Sequence, residues 1–355
     1  MNQRAGFTIV FIFFMLNAFS QNFAKYSNEF LDIGVGARAL SLSKAVVAGV
    51  DDVSAGYWNP AGLLAIETKY QLAGMHAGMF ARIAKFDYLG ASYKWNDSSV
   101  CALSLLRYGV DDIPNTLDLI DENGNFDYER IKYFSVADYA FIFSFARKLG
   151  IPGLSLGGNA KLIYRKQGDF ANALGFGFDL GAQYRYKTWK IGAMAKDITS
   201  TFNIWTFHED ELQLAFQNDT IRNPIPNNSL ELTAPQLIVG VSGDFSLSEK
   251  MTLTTEANLD FTFDGKRNVL LKTNFASINP RIGLQLGYSK MIFLRAGIGE
   301  IHQEKDFGNK KNYSLKPTFG IGLKYNRFVL DYALTDIGNK NFYSNIFSLS
   351  YAIQQ

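Results

Sequence analysis

The sequence predicts an all-β fold, a transmembrane antiparallel β-barrel of about 14 strands with an N-terminal hatch or plug. Three observations support this prediction. Hydrophobic residues make up 47% of the 355 residues and aromatic residues 15%, yet the mean hydropathy is −0.04. No apolar run after the N-terminus approaches the ~20 residues that a membrane-spanning helix needs. From about Tyr70 onward, apolar and polar residues instead alternate with a period of two, as they do in strands.

The first 20 residues are typical of a cleavable signal peptide. Arg4 supplies a basic start, residues 7–16 form a short apolar core, and small residues up to Ser20 offer a cleavage site. The apolar core is too short to span a bilayer of ~30 Å, which disfavours a membrane anchor. We therefore expect an exported protein with the plug at residues 21–69 and the barrel at residues 70–355. Cys101 is the only cysteine, so an intramolecular disulfide is excluded.

The alternation is clearest in four segments, at residues 138–145, 174–185, 253–264 and 319–326. One face of each segment is large and apolar, and the other is unusually rich in glycine, amides and charges. A soluble sandwich would carry more Lys, Glu and Thr on its outer faces. A membrane barrel needs the observed distribution, because its concave inside is crowded while its outside meets lipid.

The predicted connections alternate between short and long. The 14 strands are expected to begin near Tyr70, Ala84, Ser98, Ala137, Leu154, Ala173, Thr188, Gln236, Met251, Arg281, Ile292, Tyr313, Phe328 and Phe342. Brief turns follow the even-numbered strands, whereas the long connections 110–136, 200–235, 265–280 and 303–312 follow odd-numbered strands. Barrels of the outer membrane place short turns and long loops at opposite ends, so we expect the long loops to face the cell exterior.

Residues 21–69 lack the alternation and contain five closely spaced glycines, with a short helix predicted from Pro60. We place this segment inside the barrel, whose lumen is wide enough at this strand number to need filling. Arg38, Asp51 and Asp52 are expected to pair with inward charges of the wall, because isolated charges in a narrow lumen are costly. The predicted lumen charges are Lys161, Arg165, Asp179, Arg185, Glu256, Arg295 and Asp331.

Three stretches of this segment carry a resemblance: LDIGVGARAL at 31–40, DDVSA at 51–55 and YWNPAGL at 57–63. They resemble the opening signature of the PorV/PorQ family of Bacteroidetes outer-membrane barrels, which is related to the FadL fatty-acid channels. FVLDYA at 328–333 and FLRAG at 293–297 are similar to that family too. The residues that would form the hatch motif are Gly34, Gly36, Arg38, Asp51, Asp52, Trp58, Asn59 and Pro60.

The resemblance implies an outer-membrane barrel that acts in type IX protein secretion. Its partners would be membrane lipids and a component of that system: the translocon, a surface sortase, or the C-terminal signal domain of a secreted protein. Whether the chain is PorV-like, PorQ-like or a generic member stays open. The alternative is a FadL-like channel for uptake of hydrophobic small molecules. We rank it second, because the inward positions identified are charged or glycine rather than apolar.

Other motifs favour plain structural explanations. Gly34-x-Gly36-x-x-Ala39 imitates a dinucleotide fingerprint but lacks the βαβ context. Residues 121–127 offer oxygen ligands for calcium, yet the glycine stands at the fourth position, which favours a surface turn. Residues 208–211 could bind a metal, but adjacent loop side chains rarely converge on one ion.

The sequence shows no signature of catalysis or of nucleic-acid binding. It contains no nucleophile-base motif, so a membrane-bound hydrolase is the least favoured hypothesis. The 35 Lys and Arg residues nearly balance the 33 Asp and Glu residues, which leaves no electrostatic footprint for nucleic acid. We predict a protein that is not an enzyme and that needs no cofactor or metal.

Overall fold

The computed structural model describes residues 27–116, 119–120, 124–208, 213–216, 219–222, 229–305, 311–335 and 343–353. The predicted signal peptide at residues 1–20 lies outside these ranges, as do parts of the motifs at 121–127 and 208–211. Within the described ranges, every helix is too short or too polar to cross a bilayer.

The described chain forms short helices followed by strands. The α-helices are Ala37–Ser41 and Ala55–Trp58, and the 3-10 helices are Glu29–Asp32, Pro60–Ala65 and Tyr128–Arg130. The strands are β1 (Tyr70–Met79), β2 (Ala84–Asn96), β3 (Ser99–Asn115), β4 (Lys132–Lys148), β5 (Leu154–Gln167), β6 (Ala171–Tyr186), β7 (Trp189–Lys196), β8 (Thr201–Phe207), β9 (Gln213–Phe216), β10 (Asp219–Arg222), β11 (Leu230–Thr233), β12 (Gln236–Ser246), β13 (Met251–Thr262), β14 (Leu271–Lys272), β15 (Ser277–Tyr288), β16 (Ile292–Lys305), β17 (Lys311–Tyr325), β18 (Phe328–Thr335) and β19 (Ser344–Ile353).

The main sheet is antiparallel and closes on itself. β1 pairs with β2 on one side and with β19 on the other, where Tyr70 lies opposite Ile353. β7 and β8 share one position in the wall, because both pair with β6. β11 and β12 share the next position, opposite β8 and β7. β9 and β10 form a separate hairpin, and the two-residue β14 pairs only with β15, so the wall has the predicted 14 strand positions.

The wall extends further toward the long loops than the sequence predicted. β4 begins at Lys132 instead of near Ala137, and β15 begins at Ser277 instead of near Arg281. The interval 200–235, predicted as a loop, contributes β8 and β11 to the wall. Alternation of apolar and polar residues marks a strand only where one face meets lipid, whereas backbone pairing continues above that level.

The two ends of the barrel differ in their connections. At one end, which we call the turn end, the connections are 97–98, 149–153, 187–188, 247–250, 289–291 and 326–327. At the other, the loop end, long connections occupy 116–131, 208–229, 263–276 and 336–343. Three loop-end connections, 80–83, 168–170 and 306–310, are shorter, so a long loop does not follow every odd-numbered strand.

The exterior of the wall is apolar. On β4, Phe141, Phe143 and Phe145 are exposed, while the intervening Ile142 and Ser144 are buried. The same pattern of exposed large apolar side chains recurs around the barrel, for example at Phe176, Leu284 and Leu330. An apolar surface of this extent needs lipid as its solvent, which makes the fold that of a membrane-spanning barrel.

Candidate binding cavity in the barrel lumen

Residues 27–66, which we call the N-terminal segment, lie inside the barrel. Val53 donates its N–H to Gln71 Oε1 of β1 at 2.8 Å. On other sides of the wall, Ser144 Oγ of β4 donates to Gly56 O at 3.2 Å, and Thr318 Oγ1 of β17 donates to Ser41 O at 2.9 Å. Only the lumen gives one segment access to strands on opposite sides of a closed wall.

Inward-facing glycines make room for the N-terminal segment. A Cβ atom added to Gly157 would lie 2.6 Å from Ala61 N, and one added to Gly192 would lie 2.4 Å from Val47 O. A Cβ on Gly297 would lie 2.4 Å from the carbonyl carbon of Leu42. These separations are too short for real atoms, so the small residues of the inner face reflect close contact between segment and wall.

Asn59 connects the N-terminal segment to the wall. Its side chain is fully buried, and its Nδ2 donates to Val47 O at 2.8 Å and to Ala182 O of β6 at 3.0 Å. Its Oδ1 accepts the N–H of Ala61 at 3.2 Å and so caps the 3-10 helix that begins at Pro60. The Asn-Pro-Ala element singled out in the sequence therefore starts a helix and holds it against the wall.

The other residues of the predicted hatch motif shape the same segment. Gly34 and Gly36 adopt φ angles of +96° and +83°, a backbone region that favours glycine. Trp58 packs close to Gly34, and its Nε1 donates to Val35 O at 2.9 Å. Arg38 pairs with Asp51 and Asp52 of its own segment, with 3.4 Å between Nη1 and Asp52 Oδ2.

The expected pairing of Arg38, Asp51 and Asp52 with wall charges is therefore wrong. The turn between the two α-helices folds the segment back on itself, so these three side chains meet without the wall. The sequence predicts that Arg38, Asp51 and Asp52 share one lumen with the wall charges. It does not give the distances that decide which of these charges pair.

Most of the predicted lumen charges pair with one another within the wall. Lys161 Nζ lies 2.7 Å from Asp179 and 2.5 Å from Asp197, Arg165 Nε lies 2.9 Å from Asp138, and Arg295 Nη1 lies 2.7 Å from Asp331. Arg185 donates to Gln183 Oε1 at 3.5 Å. Glu256 instead binds the N-terminal segment, because its Oε1 accepts the N–H groups of Ala48 and Gly49 at 2.7 and 3.2 Å.

A cavity of about 840 Å³ lies between the N-terminal segment and the loop end. On one side it is lined by apolar side chains: Leu40, Tyr57 and Trp58 of the segment, with Phe86 of β2 and Ile346 of β19. On the other side, β7, β13, β15, β16 and β17 contribute Lys196, Asp260, Arg281, Glu300 and Lys316. One half of the lining thus favours a hydrophobic ligand and the other half a polar group.

Ion pairs order the charged side of the cavity. Lys196 Nζ donates to Asp32 Oδ1 at 2.9 Å, and Lys44 Nζ donates to Glu300 Oε1 at 2.8 Å, so both pairs join the segment to the wall. Arg281 Nε donates to Asp260 Oδ2 at 2.5 Å within the wall. The sequence analysis missed these residues. Asp260 lies on the same face of β13 as Glu256, so the alternation could have identified it as a lumen residue. Asp32 and Lys44 lie in the N-terminal segment, where no periodic pattern indicates which way a side chain points.

The Asp32–Lys196 ion pair makes the stability of the N-terminal segment inside the lumen depend on pH. Burial opposes ionisation of Asp32, but the Lys196 ammonium outweighs it and lowers the pKa to about 2. An unfolded Asp has a pKa of about 3.9, so the Asp32–Lys196 contribution is complete above about pH 4 and is lost as the pH falls through about 2. We expect hydrogen-exchange protection of residues 27–36, corrected for intrinsic rates, to hold from neutral pH to about 4 and to decrease below it.

The matched variant for this measurement is Asp32→Asn, which keeps the shape of the side chain and removes its titration. Its protection should be lower at neutral pH and should change less between about pH 4 and pH 2. If the variant and the wild type show the same pH profile, then another carboxyl group controls the seating.

The fold and the cavity together define a class of protein: a membrane-spanning β-barrel whose lumen holds the N-terminal segment and an internal cavity. No protein family matches the sequence, and no curated protein is significantly similar to it. The structure is similar to the monoaromatic hydrocarbon channel CymD, with a TM-score of 0.57 and 12% identity over 91% of this chain and 98% of that chain. It is also similar to the toluene transporter TodX of P. putida, with a TM-score of 0.57 and 13% identity over 91% and 99% of the two chains.

A third similar structure is the toluene transporter TbuX of Ralstonia pickettii, with a TM-score of 0.53 and 12% identity over 90% of this chain and 99% of that chain. These likenesses confirm the predicted fold, a 14-stranded barrel of the FadL-like type. All three proteins are described as channels or transporters. The resemblance to the PorV/PorQ family stays a prediction.

Proposed function

We propose that this chain is an outer-membrane channel for small, largely hydrophobic molecules that carry a polar end. The cavity is the observation that carries the proposal. Its volume of about 840 Å³ falls within the range of roughly 300–1,000 Å³ found for small-molecule sites. Phe86, Tyr57 and Trp58 give it the apolar surface that the sequence analysis did not find, and this reverses the earlier ranking of the two functions.

The charged side of the cavity narrows the class of ligand. A pure hydrocarbon would cover the apolar side but would displace water from Lys196, Arg281 and Glu300 without replacing its hydrogen bonds. A molecule with one polar end can contact both sides. The similar structures are described as a monoaromatic hydrocarbon channel and a toluene transporter, which supports a hydrophobic ligand, and the polar end is inferred from the charged lining of this chain.

In this proposal the N-terminal segment is the hatch of the channel. It fills the lumen between the cavity and the turn end, and Val35, Ala55 and Leu63 within it are fully buried. The apolar exterior, the predicted signal peptide and the similar structures support a location in the outer membrane, with the turn end toward the periplasm. A ligand entering from the loop end would reach the cavity first and would pass the hatch only if the segment moved.

Ala77→Phe should weaken ligand binding by occupying part of the cavity. Ala77 lines the cavity and is 2% exposed, so a phenyl ring there must occupy the ligand's space. With radiolabelled oleate as the probe, we expect the purified variant to bind at least tenfold more weakly than the wild type, a loss of about 1.4 kcal/mol.

The matched control is Ala91→Phe, because Ala91 is exposed on the outside of β2 and the same ring would meet lipid. The control should bind oleate as the wild type does. Equal binding by the two variants would place the ligand elsewhere, and failure of the wild type to bind oleate would contradict the proposed ligand class.

A second candidate function, in type IX secretion, is favoured by the β3–β4 hairpin. The last pair between β2 and β3 is Ala84 with Val110, and the last pair between β4 and β5 is Val136 with Gln167. The hairpin extends beyond these pairs, and its Phe126, Tyr128 and Tyr133 are 67%, 72% and 68% exposed. Exposed aromatic side chains at a barrel rim suit a protein partner.

Under this second candidate, the hairpin would bind the translocon, the sortase or a C-terminal signal domain. The test is to purify the barrel from its native membranes in mild detergent and to identify the proteins that accompany it. A secretion component that is lost from a Tyr128→Ser/Tyr133→Ser variant would support the candidate. Recovery of the barrel without any such component would count against it.

A further inference from the structure

The turn end of the barrel carries a ring of exposed cations. Five of its six connections present an exposed Lys or Arg for which the described residues provide no carboxylate partner: Lys148, Lys187, Lys250, Lys290, and the pair Lys324 and Arg327. The sixth connection has Lys94, which pairs with Asp97 at 3.0 Å. Because each connection joins a different pair of strands, the cations extend around most of the barrel, from β4 to β18.

The loop end is different, because several of its cations are paired with carboxylates of the chain itself. Lys85 and Arg107 both lie 2.9 Å from carboxylate oxygens of Asp111. Arg267 Nη2 lies 2.6 Å from Asp264. The chain as a whole has a formal net charge of only +2, so the unpaired positive charge of the turn end is a local feature.

The cations lie just beyond a belt of aromatic side chains. Tyr186, Tyr288 and Tyr325 are 57%, 49% and 70% exposed. Each lies one or two residues along the sequence from one of these cations. Lys187 Nζ lies 5.3 Å from the ring centroid of Tyr186. Aromatic belts of membrane barrels sit at the level of the lipid headgroups, so long side chains that follow them reach the phosphate groups.

We propose that this ring binds the phosphate groups of anionic lipids in the membrane leaflet at the turn end. Anionic headgroups attract such cations with a strength that adds up over the ring and is screened by salt. The distribution of the ring favours lipid over an acidic protein. Lipid contacts the whole circumference of a barrel, whereas a protein partner would select one side.

The test measures lipid selectivity of the full-length barrel in phosphatidylcholine vesicles with spin-labelled lipids. We expect spin-labelled phosphatidylglycerol to associate at least about twofold more strongly than spin-labelled phosphatidylcholine at low salt, and the two to become equal in about 1 M NaCl. The variant Lys187→Gln/Lys250→Gln/Lys290→Gln/Lys324→Gln should lose the preference, and its heat-modifiable mobility on gels should show that it is folded.

The matched control removes four cations from the loop end, as Lys85→Gln/Arg130→Gln/Lys166→Gln/Lys272→Gln, and should keep the preference. Equal association of both lipids with the wild type would overturn the proposal, as would an unchanged preference in the turn-end variant. Inorganic phosphate at 10 mM should leave the lipid preference intact. If it removes the preference, the ring is a site for free phosphate and the assignment to lipid is wrong.

Discussion

Gly157→Val should displace the N-terminal segment and make the outer membrane leaky. A Cβ atom on Gly157 would lie 2.6 Å from both Ala61 N and the carbonyl carbon of Pro60, which are backbone atoms of the 3-10 helix and cannot rotate away. Overpacking at such a site costs about 1–3 kcal/mol and more where backbone must move. We expect cells that express the variant to become sensitive to large antibiotics that the intact membrane excludes, with increased protease cleavage within residues 27–66.

The neighbouring glycine provides the control for this prediction. Gly158 faces outward, and a Cβ atom there would lie 3.5 Å from its nearest neighbours, Asp179 O and Leu180 Cδ2, an ordinary contact. Gly158→Val should leave permeability and protease resistance unchanged. If Gly157→Val also behaves as the wild type, then the segment does not depend on its contact with β5, and its role as a hatch loses its main structural support.

Phe143→Arg should lower the free energy of unfolding of the barrel by about 2–4 kcal/mol. Phe143 is 54% exposed on the outside of β4, between Phe141 and Phe145 and away from both ends of the strand. An arginine there must bring its charge into the hydrocarbon layer. Urea unfolding of the barrel in lipid vesicles, followed by tryptophan fluorescence, measures the difference.

Leu247→Arg is the comparison for this variant. Leu247 is 57% exposed in the turn between β12 and β13, where the membrane meets water and the cost of arginine falls to about 0–1 kcal/mol. Equal stability of the two variants would mean that Phe143 does not face the lipid core.

The wall could be predicted from the sequence because lipid and lumen impose opposite demands on alternate residues. That contrast is strong on β4, where phenylalanines face outward and Ala140 and Ser144 face inward. It fails on β2, whose inward Phe86 and Tyr88 are as large and apolar as the outward Leu89. The apolar side of the cavity therefore left no periodic signal, and the lumen was predicted to be more polar than it is.

The arrangement of the lumen could be predicted only in part. The motif around Asn59 was found because it is compact in sequence, and Glu256 because it lies on an alternating strand. The ion pairs Asp32–Lys196 and Lys44–Glu300 join residues separated by 164 and 256 positions. Local patterns cannot rank such distant partners, because the distance between them depends on how the segment folds inside the wall.

The contacts of the N-terminal segment with opposite sides of the wall have a thermodynamic consequence. The cavity is built jointly by the segment, through Leu40, Tyr57 and Trp58, and by the wall. Any movement of the segment must change the site, so ligand occupancy and segment position are linked equilibria with one reciprocal coupling energy. A ligand that contacts both the segment and the wall would stabilise the segment in its position in the lumen and keep the barrel closed. A ligand that contacts only the wall would leave the segment free to move.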